Sequence, residues 1–429
     1  MPFPINPVFP ARMISGVMFT IMLTGCGSWP YGGKATRDKA FISYRPPREG
    51  GGLRLAVKDL IDLKGEVTTA GSEYLAKNAA PATRDAACMA IARERNVQIV
   101  GKTNLTEFAA SVTGQNAYYG TPVNRWDGKH RFIPGGSSSG SAVAVANGSA
   151  DVAFGTDSGG SIRVPAAFCG IYGLKTTFGL VSTQGVLPMS PKYLDTVGPM
   201  AADVPHLVEG MDLLERGFRA KYQNAVAEKP SARQIRIGRL YIPGTAAAID
   251  KAIDEALAAT GFKVVKLDEN FRRAWAQADA DGETVATSEI WNSDKQYLGK
   301  PGVARTTATV ITVGSLSEAV GFDAALQRKR PWQRTLAATF RKVDFIATPT
   351  LTVLPPRRLL FGSSAIDEKL VFNAQNTVGI NFSGNPAIAI PIAMPAEKDF
   401  IPRTSLQLVG PNRSEAQLVN AARLVAAKN

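Results

Sequence analysis

Leu53, Leu55 and Val57 alternate with Arg54 and Ala56, the period-two pattern of a strand that delivers Lys58 at its end. A helical pattern follows over Arg84 to Arg95, then a strand over Val97 to Val100, after which Gly101-Lys102-Thr103-Asn104 is expected to turn the chain. The small apolar run Ala142 to Ala146 predicts a buried helix, and Val152 to Phe154 a strand. Asp203 is placed to cap a helix, with Pro205 in its first turn, running to about Glu215. Residues 217 to 233 are charged and aperiodic and read as a surface connection. Strand Ile235 to Tyr241, helix Ala247 to Thr260 with Ile249, Ile253, Ala256 and Leu257 on one face, a stop at Gly261 and strand Phe262 to Leu267 form a further unit. A late strand, Val343 to Ala347, ends in Thr348-Pro349-Thr350. Strands alternating with helices, without internal repeats, predict an α/β fold.

The N-terminus carries a different signal. Residues 13 to 26 are an apolar run of signal-peptide length behind Arg12, too short to span a bilayer. The run ends in Leu23-Thr24-Gly25-Cys26, which resembles the lipobox of bacterial lipoproteins. This implies removal of residues 1 to 25, lipidation of Cys26 as the mature N-terminus, a flexible tether over 26 to 37, and a domain over 38 to 429 held at a membrane in the bacterial periplasm. An ordinary signal peptide or a buried strand is the plainer alternative.

A chain of 429 residues, 45% hydrophobic, can bury a large core. Its formal net charge of +13 favours anionic surfaces only weakly. The densest basic run, Arg328-Lys329-Arg330 with Arg334, holds one aromatic, Trp332, and no nucleic-acid motif; it reads as a solvated helix face, and no nucleic-acid partner is expected. Three cysteines exclude a disulfide framework, and Cys88 and Cys169 read as small buried hydrophobes. The two histidines, His130 and His206, lack the spacing of a zinc site. Neither metal nor organic cofactor is expected.

The most informative stretch runs from Gly135 to Gly179, where two serine-glycine loops carry Ser137 and Ser161, separated by a short helix and strand. Glycines beside a serine let the backbone turn sharply and present its N–H groups to a ligand, and the ordered apolar runs around them argue against flexible linkers. A serine needs a base. With only two imidazoles available, a Ser-His-Asp relay is poorly supplied, and lysine is the remaining strong base. Holding an unshifted lysine neutral at pH 7.5 costs roughly 4 kcal/mol, so burial must supply much of that. Lys58 fits; Lys64, Lys102 and Lys175 also lie in or near motifs.

These residues fall in Val57-Lys58-Asp59, Gly135-Gly136-Ser137-Ser138 and Asp157-Ser158-Gly159-Gly160-Ser161-Ile162-Arg163, in that order, with the two serines 24 residues apart. The pattern resembles the amidase signature family. Further matching stretches, including GKTNLTEFA from Gly101, LDTVGPMA from Leu194 and NFSGNPAIAIP from Asn381, extend the resemblance over about residues 40 to 415. It implies one α/β domain around a large mixed twisted sheet flanked by helices. It also implies a Ser-cisSer-Lys triad in which Ser161 attacks, Ser137 relays its proton from a cis peptide and Lys58 is the base. Ser158, Gly159 and Gly160, with Ser161, would form the oxyanion hole; Ser138 and Thr156 would be hydrogen-bonding residues behind the catalytic groups. Arg163 would either pair with Asp157 or meet a substrate carboxylate. The implied reaction is hydrolysis of a small-molecule or peptide amide to acid plus ammonia or amine. The region between about 217 and 345 is short for the family, which leans the substrate towards small amides.

Three alternatives stand beside this. Gly136-Ser137-Ser138-Ser139-Gly140 fits the G-x-S-x-G nucleophile elbow of α/β-hydrolases, with Ser138 as nucleophile and esters as substrates. A non-catalytic binding protein is opposed by the intact Lys58, Ser137 and Ser161. Membership of an amidotransferase that acts on charged tRNA, as one of its subunits, is opposed by the lipobox.

Overall fold

The computed structural model describes residues 35–126, 129, 132–357, 370–373, 375–395 and 403–428. The signal-peptide reading of 1–25, Cys26, most of the tether and His130 lie outside them. Eleven strands form one sheet: β1 Phe41–Tyr44, β2 Arg54–Lys58, β3 Gln98–Thr103, β4 Val152–Asp157, β5 Tyr172–Lys175, β6 Thr196–Ala201, β7 Arg236–Arg239, β8 Lys263–Lys266, β9 Phe345–Pro349, β10 Ala387–Ala393 and β11 Arg403–Val409. Their order is β1-β3-β2-β4-β6-β5-β10-β11-β9-β7-β8. The pairs β3/β2, β2/β4, β9/β7 and β7/β8 are parallel and the rest antiparallel, so the sheet is mixed, as expected.

Helices flank it, among them α1 Glu73–Asn78, α2 Ala90–Glu94, α3 Ser139–Ala146, α4 Arg163–Cys169, α5 Val204–Leu214, α6 Phe218–Glu228, α7 Ala247–Thr260, α8 Glu269–Asp294, α9 Arg305–Phe340, α10 Val378–Ser383 and α11 Glu415–Ala426. Side chains alternate across a strand, and the core splits accordingly. Leu55, Val57, Val152, Phe154, Ile388 and Ile390 pack with α5, α7 and α11, while Ala56, Ala153 and Ala389 pack with α3 and α4. Farther along the sheet, α8, α9 and α10 cover Ile346, Ala387 and Val409. With helices on both faces, β4 is buried at every position, which explains its continuous apolar run.

Helix α7 occupies Ala247–Thr260 and stops at Gly261, whose φ of 84° only glycine adopts easily. Elsewhere the pattern misplaces elements. Residues 217–233 are not a plain connection: Gly217 opens α6, whose Phe218 and Ala225 bury a thin stripe too sparse to register as a period. The helix expected over Arg84 to Arg95 shortens to a 3₁₀ turn, Ala87–Met89, and α2. The N–H groups of Ala82 and Ala86 are held by Glu66 and Asp62 carbonyls instead. Gly101-Lys102-Thr103 continue β3 rather than turning, and β9 runs on through Pro349. In the basic run, Arg328 pairs with Asp281 at 2.6 Å. Lys329 donates to the Tyr193 carbonyl at 3.0 Å and lies 5.5–5.7 Å from the rings of Phe178, Tyr193 and Phe382. Arg330 and Arg334 are the exposed surface charges that the pattern suggests.

Candidate active site

The parallel strands β2 and β4 end side by side, and their carboxyl ends carry the candidate residues, the usual place for a site in an open α/β sheet. Lys58 is the last residue of β2 and is fully buried. Its Nζ lies 2.7 Å from Ser137 Oγ and 2.8 Å from Thr156 Oγ1. Ser137 stands just before α3, and the Gly136–Ser137 peptide is cis. Ser161 lies in the turn between β4 and α4, and the Ser138 N–H donates to its carbonyl at 3.1 Å, which closes the two serine loops on each other. Lys58, Ser137 and Ser138 have no exposed surface; Ser161 keeps 8%.

Burial lowers the Lys58 pKa to about 7, against the opposing pull of Asp157 and Asp195. Of the rival lysines, Lys102 is ion-paired with Asp59 at 2.6 Å. Lys175, lowered to about 7 by burial, donates to the carbonyls of Thr176 and Asn385, and Lys64 is exposed. Lys58 alone among these four touches a serine of the two loops.

Asp157 organises the turn that holds Ser161. Burial opposes its ionisation, but the Arg163 guanidinium, Lys175 and Asn381 hold its carboxyl well below the usual range. It accepts from the N–H groups of Gly160 at 2.8 Å and Ile162 at 3.1 Å, and from Arg163 Nε at 3.0 Å. One expectation changes here, and of the two options for Arg163 the pairing with Asp157 is the one observed. The Gly160 N–H is taken by Asp157, which leaves the N–H groups of Ser158, Gly159 and Ser161 as the candidate oxyanion donors. Arg163 is fully buried and spends its guanidinium on Asp157, Gln407, Asn381 and the Thr377 carbonyl. It has no group left for a substrate carboxylate. At Gly160 the backbone has φ of 131°, and a Cβ would fall on the Thr377 hydroxyl, 3.0 Å from its Cβ. Glycine is therefore required by both conformation and space.

Thr156 and Ser138 both hydrogen-bond around the site: Thr156 accepts from Lys58, and Ser138 points inward and donates to the Thr156 carbonyl at 3.3 Å. A fully buried hydroxyl so engaged does not suit the nucleophile-elbow reading. His206 pairs with Asp203 at the start of α5. Cys88 and Cys169 are free and buried, and burial pushes the Cys88 thiol up to about 12. Among the described residues no three His, Cys, Asp or Glu side chains converge as metal ligands would.

Several site residues sat in matched stretches without being singled out. Asp195 accepts from Ser158 Oγ at 2.6 Å and from the N–H groups of Met189 and Ser190, and burial raises its pKa. Asn381 donates to Asp157; Thr377, four residues before the matched stretch, donates from Oγ1 to the Gly159 carbonyl at 2.5 Å. For Asp195 and Asn381 the signal was a polar residue inside a matched stretch; Thr377 carried none. Val378 of α10 packs between the turn and α8: its Cγ2 would lie 3.7 Å from a Cβ on Gly159 and 3.1 Å from one on Gly282. Helix α8 thereby walls the site from the far side. A surface cleft of about 510 Å³ lined by Arg45, Lys64 and Arg93 includes none of these residues.

Known proteins carry the same arrangement of chain. The chain is 32% identical over 423 residues to a glutamyl-tRNA(Gln) amidotransferase subunit of Halobacterium salinarum, covering 87% of this chain and 95% of that protein. It is 34% identical over 389 residues to 2-amino-5-chloromuconic acid deaminase of Comamonas testosteroni, covering 86% and 80%. Among solved structures, 6-aminohexanoate cyclic dimer hydrolase superposes with a TM-score of 0.69 at 25% identity, over 88% of this chain and 85% of that one. Since the Amidase family matches residues 51–419, spanning the strand that bears Lys58, both serine loops and the Asp157–Asn381 network, the chain belongs to the amidase family.

Proposed function

We propose that this protein hydrolyses carboxylic amides through an acyl-enzyme on Ser161, with Ser137 as proton relay and Lys58 as base. The carrying observation is the fully buried Lys58 with its Nζ 2.7 Å from Ser137 Oγ. Such a lysine gives up its proton near neutrality and has a hydroxyl as its neighbour. In the forward step the Ser161 Oγ bonds to the amide carbon while its proton passes to Ser137, and the Ser137 proton passes to Lys58. The N–H groups of Ser158, Gly159 and Ser161 receive the developing oxyanion, each such donor being worth about 3 kcal/mol. The relay then runs backward, protonating the leaving nitrogen as the C–N bond breaks. Water releases the acid by the same route. Small or peptide-like amides are the proposed substrates.

A panel of aliphatic, aryl and peptide amides, assayed for released ammonia or amine, tests this reading. Turnover that disappears in Ser161→Ala supports it. A panel without turnover contradicts it.

The curated relatives favour a second reading, in which the chain supplies an amide-derived amino group to glutamyl-tRNA(Gln) within a larger amidotransferase. The chemistry at Ser161 would be the same and only the destination of the ammonia would differ. Ammonia from free glutamine that rises only once charged tRNA and partner proteins are added selects this reading; turnover of simple amides by the isolated chain selects the first.

A further inference from the structure

Asp195 enters the site from the loop before β6. The antiparallel β4/β6 register sets Asp157 opposite Thr196, so the chain segments carrying Ser158 and Asp195 leave the ladder together. Three donors converge on the carboxylate: Ser158 Oγ at 2.6 Å and the Ser190 N–H at 2.9 Å on Oδ1, and the Met189 N–H at 3.0 Å on Oδ2. None of the three carries charge, and Asp195 makes no ion pair among the described residues. Asp157, the other carboxylate that acts on Lys58, is already matched by Arg163 at 2.9 Å. Among the described residues the Lys58 ammonium hydrogen-bonds to two hydroxyls and to no carboxylate.

We infer that Asp195 is a positioning residue of this site: it fixes the oxyanion loop through Ser158 and supplies the unmatched negative charge that Lys58 meets when it receives the relayed proton. The inference rests on the proposed acyl-enzyme chemistry. A charge-assisted hydrogen bond to the Ser158 hydroxyl pins the first residue of the loop whose N–H groups face the reacting carbonyl. The same charge favours the protonated lysine. Other carboxylates facing Asp195 come from α8. Glu289 reaches Ser190 Oγ at 3.4 Å, and Asp294 is raised to about 8 by burial and by Asp195 and Glu107. Burial raises all three carboxyls; Asp294 is thereby held towards the neutral form near pH 7, whereas Asp195 accepts three hydrogen bonds that favour its charged form.

The sign of the effect is fixed. Removing the Asp195 charge lowers the proton affinity of Lys58 further, so the base becomes neutral at lower pH. The measurement is the rate of Ser161 labelling by a fluorophosphonate as a function of pH, which requires no knowledge of the substrate. For Asp195→Asn, the acid limb is expected to move down by roughly one pH unit, a tenfold change in proton affinity, with a lower plateau rate. Asp195→Glu, which keeps the charge but displaces it, is expected to lower the plateau while leaving the limb in place. If Asp195→Asn does not fold, Ser158→Ala reads the same coupling and is expected to shift the limb in the same direction by less. An unmoved limb in the folded charge-removing variant overturns the inference. Failure of the wild-type protein to label at Ser161 would instead overturn the chemistry on which it rests.

Discussion

Three buried lysines show how environment assigns a role to one residue type. Lys102 is matched by a carboxylate, Lys175 by two carbonyls and Lys58 by two hydroxyls. Only a base that is neutral can take the relayed proton, so turnover is expected to rise with pH through about 7, where Lys58 titrates. A pH–rate profile whose acid limb lies elsewhere, and does not change in Lys58 variants, contradicts this. Lys58→Ala should cut turnover at least a hundredfold. Lys58→Arg should do the same, because a guanidinium stays protonated. Stability follows the same titration. Lys58 and Lys175 hold fewer protons folded than unfolded between about pH 7 and their ordinary value near 10.5, so both make stability rise with pH across that window. Lys58→Met is therefore expected to melt no lower than wild type, with its advantage largest below pH 7 and fading towards pH 10. A thermal melt series decides it; a variant less stable at pH 6 than wild type contradicts the assignment of a buried, costly charge. The sequence made Lys58 identifiable through its motif and strand-end position. The partners of Lys102 and Lys175 were not legible, because Asp59 and Asn385 meet them only through the fold.

At the scale of elements, the Asp157–Arg163 clamp ties β4, α4, α10 and β11 into one frame around Ser161. Arg163→Ala would leave the Asp157 carboxylate buried and short of its main counter-charge, a loss on the order of 3–5 kcal/mol. Chemical denaturation should show this loss. A variant of wild-type stability with a selectively raised KM would restore the substrate role that the geometry removes. The glycines of the turn differ just as sharply. Gly160→Ala places a Cβ against Thr377 in a backbone region hostile to side chains, whereas a Cβ at Gly159 meets only Val378 at ordinary distance. Labelling of Ser161 is expected to be lost in Gly160→Ala and largely kept in Gly159→Ala; equal behaviour of the two contradicts this packing. The six-residue spacing of Asp157 and Arg163 made their pairing readable as one option. Asn381 and Gln407, more than 200 residues farther along, became partners only when α10 and β11 were folded against the turn.

For the whole molecule, the alternation of strands and helices made the α/β class legible, and the motif order placed the site at the ends of β2 and β4. The long hairpin of α8 and α9 was not legible, because its apolar positions are diluted by Thr, Ser and charged residues that pack through small contacts such as Gly314 on Trp291. Shortness between 217 and 345 therefore does not mean an open site: α8 reaches the turn through Val378. The N-terminal segment belongs to this scale too. We expect Cys26→Ser to leave catalysis intact and to shift the protein out of the membrane fraction, since one acyl chain adds about 0.8 kcal/mol per buried methylene. Unprocessed wild-type protein in the cytoplasm contradicts that expectation.

Ser161, activated through Ser137 by Lys58, is the proposed nucleophile. Reaction of the full chain with a fluorophosphonate, followed by peptide mapping, tests this most directly. A single adduct on Ser161 is expected, absent in Ser161→Ala and strongly slowed in Ser137→Ala and Lys58→Ala. An adduct on Ser138, or labelling of Ser161 at an unchanged rate without Lys58, would contradict it.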